Sequence, residues 1–331
     1  MSFDKIPGQE AAIRILKDEL DSGRIHHAYL FTGKEGVGKE RTALEFTKAV
    51  LCEEEGVEAC DKCLACRKIE HSNHPDVRII DIDEDANNIK IDQVRELQKD
   101  MSYKPYDSSR KVYIITEADR MTPEAANSLL KTLEEPPEYG ILILLARELD
   151  KLLPTVISRC QRIQFHTIKD NIIEEELQNS GYSEEKSRLI ARLAEGSLGR
   201  ANSLLEDEDF FENRKSIIET LYNLPELNAV EIFKQVDFMM SILKNKEGFP
   251  LFYLILSWYR DIILYNQGYD REIVNFDYQE WISLQDKYYS LEGLVSIVEL
   301  VTTTKNYVER NVKNDLALQV LLFKIRAKRV K

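Results

Sequence analysis

The sequence lacks any apolar stretch near the roughly 20 residues that a membrane-spanning helix needs. Its first residues carry no signal-peptide pattern. Basic residues are in the minority, because 45 Lys and Arg stand against 58 Asp and Glu, giving a net charge of −13. A protein that binds DNA without partners usually has a basic surface. We therefore expect a soluble, cytoplasmic chain with no membrane partner, whose acidity either serves solubility alone or reflects DNA contacts shared with other chains.

The chain also lacks internal repeats and low-complexity segments, and its 331 residues predict two or three domains. An apolar run at 28–31 and segments at 77–81, 111–115, 141–146 and 163–165 predict strands, of which those at 111–115 and 141–146 should be buried. Helical patterns at 41–51, 91–101 and 123–133 alternate with them. This alternation predicts an α/β domain, a mostly parallel sheet with flanking helices, that ends near residue 165.

A glycine-rich stretch, GKEGVGKE, follows the first apolar run and precedes a helical pattern. That order is typical of a phosphate-binding loop. Gly33, Gly36 and Gly38 would let backbone N–H groups approach an anion, and Lys39 would reach the outer phosphates. The loop lacks the Ser or Thr that normally follows the lysine and holds Mg²⁺, because Glu40 stands there. The pattern predicts a nucleotide-site scaffold without its metal chemistry, which either binds a metal-free nucleotide or only packs.

Cysteine is rare, with five residues in the chain, yet four of them are clustered. Cys52, Cys60, Cys63 and Cys66 lie within 15 residues, and three of them form two overlapping C-x₂-C steps. Zn²⁺ is held by four such thiolates in structural sites, and disulfides are not expected in a reducing compartment. We interpret the cluster as a structural zinc site, the alternatives being free or disulfide-bonded cysteines. Cys160 stands alone.

The strand signal fades in the second half of the chain. Residues 168–205 predict a small helical unit. Helical blocks follow at 210–221, 229–246, 250–265, 278–290 and 291–328, and we expect the last block to be two helices joined near Asn306.

Four motifs in the first half resemble one family. They are HHAYLFTG before the phosphate loop, the cysteine cluster after its helix, AANSLLKTLEEPP at 125–137 and ISRC at 157–160. The chain resembles the delta-prime family of bacterial DNA polymerase III clamp-loader subunits, within the AAA+ family. In the second half LSWYRD at 256–261 and NVKNDLAL at 311–318 match more loosely. The resemblance implies an AAA+ P-loop domain over 1–166 with a zinc module at 52–66, a helical lid over 167–206 and an all-α collar over 207–331.

The resemblance also implies partners and a role for Arg159. The partners are gamma/tau and delta subunits in a five-subunit ring, with the sliding clamp as a further candidate and primed DNA reached only through the complex. Arg159 of the Ser-Arg-Cys motif would act as an arginine finger on the ATP of a neighbouring subunit. The alternative is a structural Arg159 that pairs with an acid of its own domain.

The groups that hydrolyse ATP in active members of this family are altered at most of the matching positions. Glu40 replaces the hydroxyl and Thr116 replaces the metal-binding acid, although Glu117, the water-orienting position, is kept. Active members also have two sensors of the γ-phosphate. The first, a small polar residue, falls here on Arg147 and Glu148, and the second, an arginine, falls on Gly199, with Arg200 one place later. We therefore expect a non-catalytic subunit without intrinsic ATPase activity. Two alternatives stay open: an active gamma/tau-like ATPase and a zinc-module DNA-binding protein.

Overall fold

The structure, a computed structural model, describes residues 3–54, 56–83, 86–245, 249–309 and 314–330. The chain divides into two compact units, Met1–Ser203 and Leu204–Lys331. Almost all of the predicted lid, 167–206, belongs to the first unit, so the lid as a separate domain stays a prediction. Within the described ranges no helix combines the length and apolar character that crossing a membrane requires.

The first unit is built on a five-stranded sheet. Its strands are β1 Ala28–Thr32, β2 Val77–Ile80, β3 Lys111–Ile115, β4 Gly140–Ala146 and β5 Gln161–Gln164. They are ordered β2-β3-β4-β1-β5, and every neighbouring pair is parallel. All residues of β1, β3 and β4 are buried, which explains why these strands appear in the sequence as continuous apolar runs. The predicted parallel α/β sheet is confirmed.

Helices cover both faces of the sheet. They are α1 Glu10–Ser22, α2 Lys39–Leu51, α3 Leu64–Glu70, α4 Ile91–Met101, α5 Pro123–Glu134 and α6 Pro154–Ile157. Three further helices follow in the chain, α7 Asp170–Asn179, α8 Glu184–Leu193 and α9 Leu198–Glu206. Alternate strand residues point to opposite faces. Phe31 therefore packs in one core with α1 and α2, while Leu30 packs in another with α4, α5 and α6. Helix α5 begins as predicted, because the Thr122 hydroxyl accepts from the Ala125 N–H and Pro123 occupies the first turn.

The second unit is helical in the part that the structure describes. Its helices are α10 Phe210–Asn223, α11 Ala229–Asn245, α12 Leu251–Asn266, α13 Gln279–Gln285, α14 Leu291–Glu309 and α15 Asn314–Ala327. Helix α12 contacts α10, α13 and α14 and carries the fully buried Trp258. The indole N–H of Trp258 donates to Gln285 Oε1 at 2.6 Å. The predicted all-α second half is confirmed.

Two predicted helix boundaries in this unit are wrong. The block at 291–328 does divide into two helices, α14 and α15, but α14 continues through Asn306 to Glu309, so the break lies later than predicted. A single exposed Asn costs a helix only a few tenths of a kcal/mol, and the buried Val301 and Thr304 hold this stretch against the core. The block predicted at 278–290 ends as an α-helix at Gln285 and continues as a 3₁₀ turn, Asp286–Tyr288. Residues 246 and 311–313, within the block at 229–246 and the motif at 311–318, lie outside the described residues.

Candidate functional site

The phosphate loop lies between β1 and α2, at the carboxyl end of a central strand. Gly36 and Gly38 have φ angles of 68° and 101°, in the left-handed region that favours glycine. Helix α2 begins directly at Lys39. The predicted strand, glycine loop and helix arrangement is therefore present, and Gly36, Gly38 and Lys39 line one cavity. Phosphate binding by these residues stays a prediction.

The Lys39 side chain is already bound to its own loop. Its ammonium donates to the carbonyl oxygens of Gly33 and Lys34, each at 2.6 Å. The residue is 8% exposed, and burial, followed by the nearby Arg147 charge, lowers the pKa of Lys39 to about 8. The loop is thus closed around its lysine, in the place where an outer phosphate would otherwise accept from that ammonium.

The side of the cavity where Mg²⁺ would lie carries a set of groups unlike those of an active site. The carboxylate of Glu40 lines the cavity in place of a hydroxyl. The Thr116 hydroxyl donates to the Asp81 carboxylate over 2.9 Å. Asp81 follows the edge strand β2 and was not among the predicted site residues. Asp81 therefore places a carboxylate near the site from the end of β2. In active members the metal-binding acid is expected at the position of Thr116, at the end of β3.

Arg147 fills the region between the loop and the water-orienting acid. Its guanidinium pairs with Glu35 of the phosphate loop at 2.7 Å and also with Glu117. Glu117 forms a second ion pair with Arg120 at 2.9 Å. The one acid that the sequence retains from an active site is therefore neutralised by two arginines. A carboxylate held in this way is not available to orient a water molecule.

The start of helix α9 lies directly on the phosphate loop. The Gly199 N–H donates to the Gly36 carbonyl over 2.9 Å. A Cβ on Gly199 would lie 2.8 Å from Gly36 Cα, so any larger residue would push the two backbones apart. Arg200, the arginine nearest to the second sensor position, pairs with Glu195 instead. A direct backbone contact thus occupies the place where other family members are expected to have a sensor arginine.

The cavity between these elements has a volume of about 570 Å³, within the usual range for small-ligand sites. Apolar side chains line one part of it, and charged groups line the other. The charged lining is Lys5, Glu35, Lys39, Glu40, Arg41, Asp81, Glu117 and Arg147, four cations and four acids. A magnesium nucleotide does not fit this donor set, because the metal-binding hydroxyl is missing and the cations are paired within the protein.

The four clustered cysteines converge as predicted. The sulfur atoms of Cys52, Cys60, Cys63 and Cys66 all lie within 4.8 Å of one another. Zn–S bonds of about 2.3 Å in a tetrahedron require sulfurs roughly 3.8 Å apart, so a small inward movement would complete such a shell. Across the described ranges this is the one grouping of three or more His, Cys, Asp or Glu ligand atoms that could hold a metal ion.

Backbone N–H groups donate to the sulfurs of Cys52, Cys60 and Cys63, whereas burial raises the pKa of the Cys52 and Cys66 thiols. Cys60 Sγ accepts from the N–H groups of Lys62 at 3.4 Å and Cys63 at 3.2 Å, and these bonds lower the pKa of Cys60 to about 7. Cys63 Sγ accepts from the Cys66 N–H at 3.4 Å. The cluster therefore fits a metal ion, and its four sulfurs would leave no open position for catalysis.

An ionic network ties this cluster to the helix of the phosphate loop. Lys48 of α2, almost fully buried, contacts Glu45 at 2.9 Å, Asp61 at 2.7 Å and Glu70 at 2.8 Å. Asp61 lies next to the ligand Cys60, and Glu70 ends α3. Hydrogen bonds from Lys48 and Arg41 lower the pKa of Glu70 to about 2. Since a buried charge is stable only when paired, the cysteine cluster and α2 support each other.

Arg159 lies on the surface of the first unit with a side chain that is 36% exposed. Its guanidinium pairs with Glu134 at 2.8 Å and donates to the Thr155 carbonyl at 3.0 Å. Neighbouring residues hold the segment: the Ser158 hydroxyl donates to the same Thr155 carbonyl, and Cys160 packs into the core. The predicted alternative, a pair with an acid of its own domain, is therefore present, and the arginine-finger role stays a prediction.

A five-stranded parallel sheet with a phosphate loop, closed by α7 to α9 and followed in the chain by a helical unit, defines an AAA+-type subunit. Two family models match, "DNA polymerase III, delta subunit" over residues 8–169 and "DNA polymerase III, delta subunit, C terminal" over residues 208–327. DNA polymerase III subunit delta' of Bacillus subtilis is 32% identical over 308 residues, which cover 92% of each chain. The chain belongs to the delta-prime family of DNA polymerase III clamp-loader subunits.

Part of the chain is also similar to tau subunits of DNA polymerase III. The tau subunit of Bacillus subtilis is 39% identical over 214 residues, and that of Escherichia coli is 38% identical over 217 residues. Each match covers 62% of this chain but only 37% and 32% of the respective tau subunit. These relatives therefore bear on part of the chain only.

Proposed function

We propose that this chain is a non-catalytic subunit of the DNA polymerase III clamp loader. It joins a ring with gamma/tau and delta subunits in the cytoplasm and stimulates ATP hydrolysis by a neighbouring gamma/tau-type subunit while the sliding clamp is loaded. The clamp itself is a further candidate partner, and primed DNA is reached only through the complex. The observation that carries the non-catalytic role is Arg147, whose pairing with Glu35 and Glu117 fills the site with the protein's own ions.

The stimulating group is Arg159, acting as an arginine finger on the neighbour's ATP. A guanidinium suits this task because it stays charged and matches phosphate oxygens with a rigid fork of donors. Fingers of this kind contribute about 10³ to 10⁵ in rate in well-studied GTPases. The exposure of Arg159 and the anchoring of Cys160 beside it support this role.

The test is Arg159→Ala in a reconstituted loader. We expect DNA- and clamp-stimulated ATP hydrolysis to fall more than tenfold while the ring still assembles. Arg162→Ala is the matched control, since Arg162 is also exposed and contacts only Gln164 among the hydrogen bonds and ion pairs described. Unchanged hydrolysis in Arg159→Ala would show that Arg159 is structural.

The metal of the cysteine cluster is proposed to be structural zinc. Four thiolates, N–H···S hydrogen bonds and spacings of two residues between ligands are typical of such sites.

The second unit is proposed to be the collar that joins the subunits. Four exposed apolar residues on the adjoining helices α11 and α15 support this: Val230, Phe233, Leu316 and Val320.

A gamma/tau-like ATPase is the second candidate, favoured by the well-formed loop and by the similarity to tau subunits. Glu40, Thr116 and Arg147 count against it. Tight Mg-ATP binding with turnover by the isolated chain would establish it and overturn the non-catalytic role. A zinc-module DNA-binding protein is the third candidate, and it would require affinity for DNA that falls steeply with salt.

A further inference from the structure

The Arg159 guanidinium is held by its own unit at several points while it still faces solvent. It contacts the Glu134 carboxylate, the Thr155 carbonyl and, more weakly at 3.5 Å, the Ser158 hydroxyl. These contacts use three of the five N–H groups of a guanidinium. Among the described residues no hydrogen bond to the other two donors is found, so they can bind an oxygen that approaches from outside. The side chain is therefore oriented and still able to bind.

The position of Glu134 is fixed independently of Arg159. Glu134 is the last residue of α5, and Pro136 and Pro137 prevent the helix from continuing. Helices α5 and α6 share one core through the buried Leu133 and Val156. The carboxylate is thus presented to Arg159 by two packed helices and not by a mobile loop.

Electrostatics indicate that Glu134 does not stabilise its own helix. A carboxylate at the carboxyl end of a helix meets the negative end of the helix dipole, which is unfavourable. The ion pair is also half-exposed, since the Glu134 side chain is 50% accessible, and exposed pairs contribute little to stability. The ion pair with Glu134 instead restricts the Arg159 side chain, which would otherwise sample many rotamers.

We infer that Glu134 is a positioning residue for Arg159, orienting the guanidinium before the neighbouring subunit's nucleotide arrives. This inference rests on the proposed role of Arg159. Ordering the side chain in advance lowers the entropy lost when the phosphate is bound. The rate of the stimulated reaction then depends on Glu134, although Glu134 touches no reacting atom.

The test compares Glu134→Ala, Glu134→Gln and Glu135→Ala in a reconstituted loader, with stimulated kcat and KM for ATP measured for each. We expect Glu134→Ala to lower kcat about three- to tenfold with little change in KM. Glu134→Gln keeps an oxygen acceptor and should retain more than half of the rate. Glu135→Ala removes the neighbouring carboxylate, which has no ion-pair partner among the described residues, and should match the wild type.

A double-mutant comparison separates positioning from general damage to the fold. In an Arg159→Ala background, Glu134→Ala should have no further effect, because there is no side chain left to orient. A rate for Glu134→Ala equal to or above the wild type, or a further loss in that background, would overturn the inference. If Arg159→Ala alone had no effect, the proposed function itself would fail. If only Glu134→Ala had none, the proposed function would stand without Glu134.

Discussion

At the scale of single residues, glycine determines how closely helix α9 approaches the phosphate loop. Gly199 is inside α9, where glycine is normally a cost of about 1 kcal/mol relative to alanine. Here its missing side chain permits the 2.9 Å hydrogen bond to the Gly36 carbonyl. Gly199, at the position expected for a sensor arginine, therefore contacts the phosphate loop through its backbone.

Gly199→Ala should be destabilising, the opposite of what alanine normally does in a helix. The added Cβ would lie 2.8 Å from Gly36 Cα, so the lid or the loop must move, at a cost of about 1–3 kcal/mol. Amide hydrogen exchange across residues 33–39 should become faster. Gly293→Ala is the control, because its Cβ would meet no atom closer than the Ser290 hydroxyl at 3.2 Å and the Lys328 carbonyl oxygen at 3.6 Å. Slower exchange in Gly199→Ala would contradict the close contact.

At the scale of elements, the cysteine cluster stabilises the segment between α2 and β2. That segment contains α3, a helix of only seven residues, whose first turn is capped by Cys63. So short a helix is marginal without outside support. The buried Lys48 adds support through Asp61 and Glu70. The metal and the ion pairs therefore act on the same short segment.

Cys63→Ser should abolish zinc binding and lower the melting temperature of the first unit by roughly 5–10 °C. The loss frees Asp61, so the buried Lys48 loses one of its three partners. Zinc content by elemental analysis and melting followed by circular dichroism are the two measurements. Cys160→Ser controls for loss of a thiol outside the cluster and should keep the full zinc content. A Cys63→Ser protein with unchanged zinc and melting temperature would rule out the four-thiolate site.

The sheet and its helices could be predicted because their signals are local. Strands buried on both faces appear as runs such as 141–146, and Thr122-Pro123 marks a helix start. The ion pairs of the site could not be predicted. Arg147 meets Glu35 only because β4 lies beside β1, and no local pattern encodes that neighbour. The helix boundary at Asn306 was wrong because packing of α14 outweighs the weak preference of one residue.

At the scale of the whole molecule, the two units divide the proposed work. The first carries the cavity beside the phosphate loop, the cysteine cluster and Arg159. The second consists of helices in the part described and exposes apolar side chains on α11 and α15. Phe233 and Phe323 of these helices lie with ring centroids 5.5 Å apart, so the two helices present a joint surface. An acidic chain with such a surface suits assembly with other proteins better than unaided DNA binding.

The surface on α15 should be needed for ring assembly. Leu316 is 55% exposed and Val320 is 42% exposed, one helical turn apart. Replacing both with Asp should leave helix content nearly unchanged, because neither side chain fills the core. It should weaken binding to the other loader subunits at least tenfold, since two charges would have to be buried at the interface. Leu284→Asp, at a residue that is 44% exposed on α13, is the control. The measurement is the mass of the reconstituted complex. An intact pentamer with the double variant would show that this surface of α15 is not part of the collar interface.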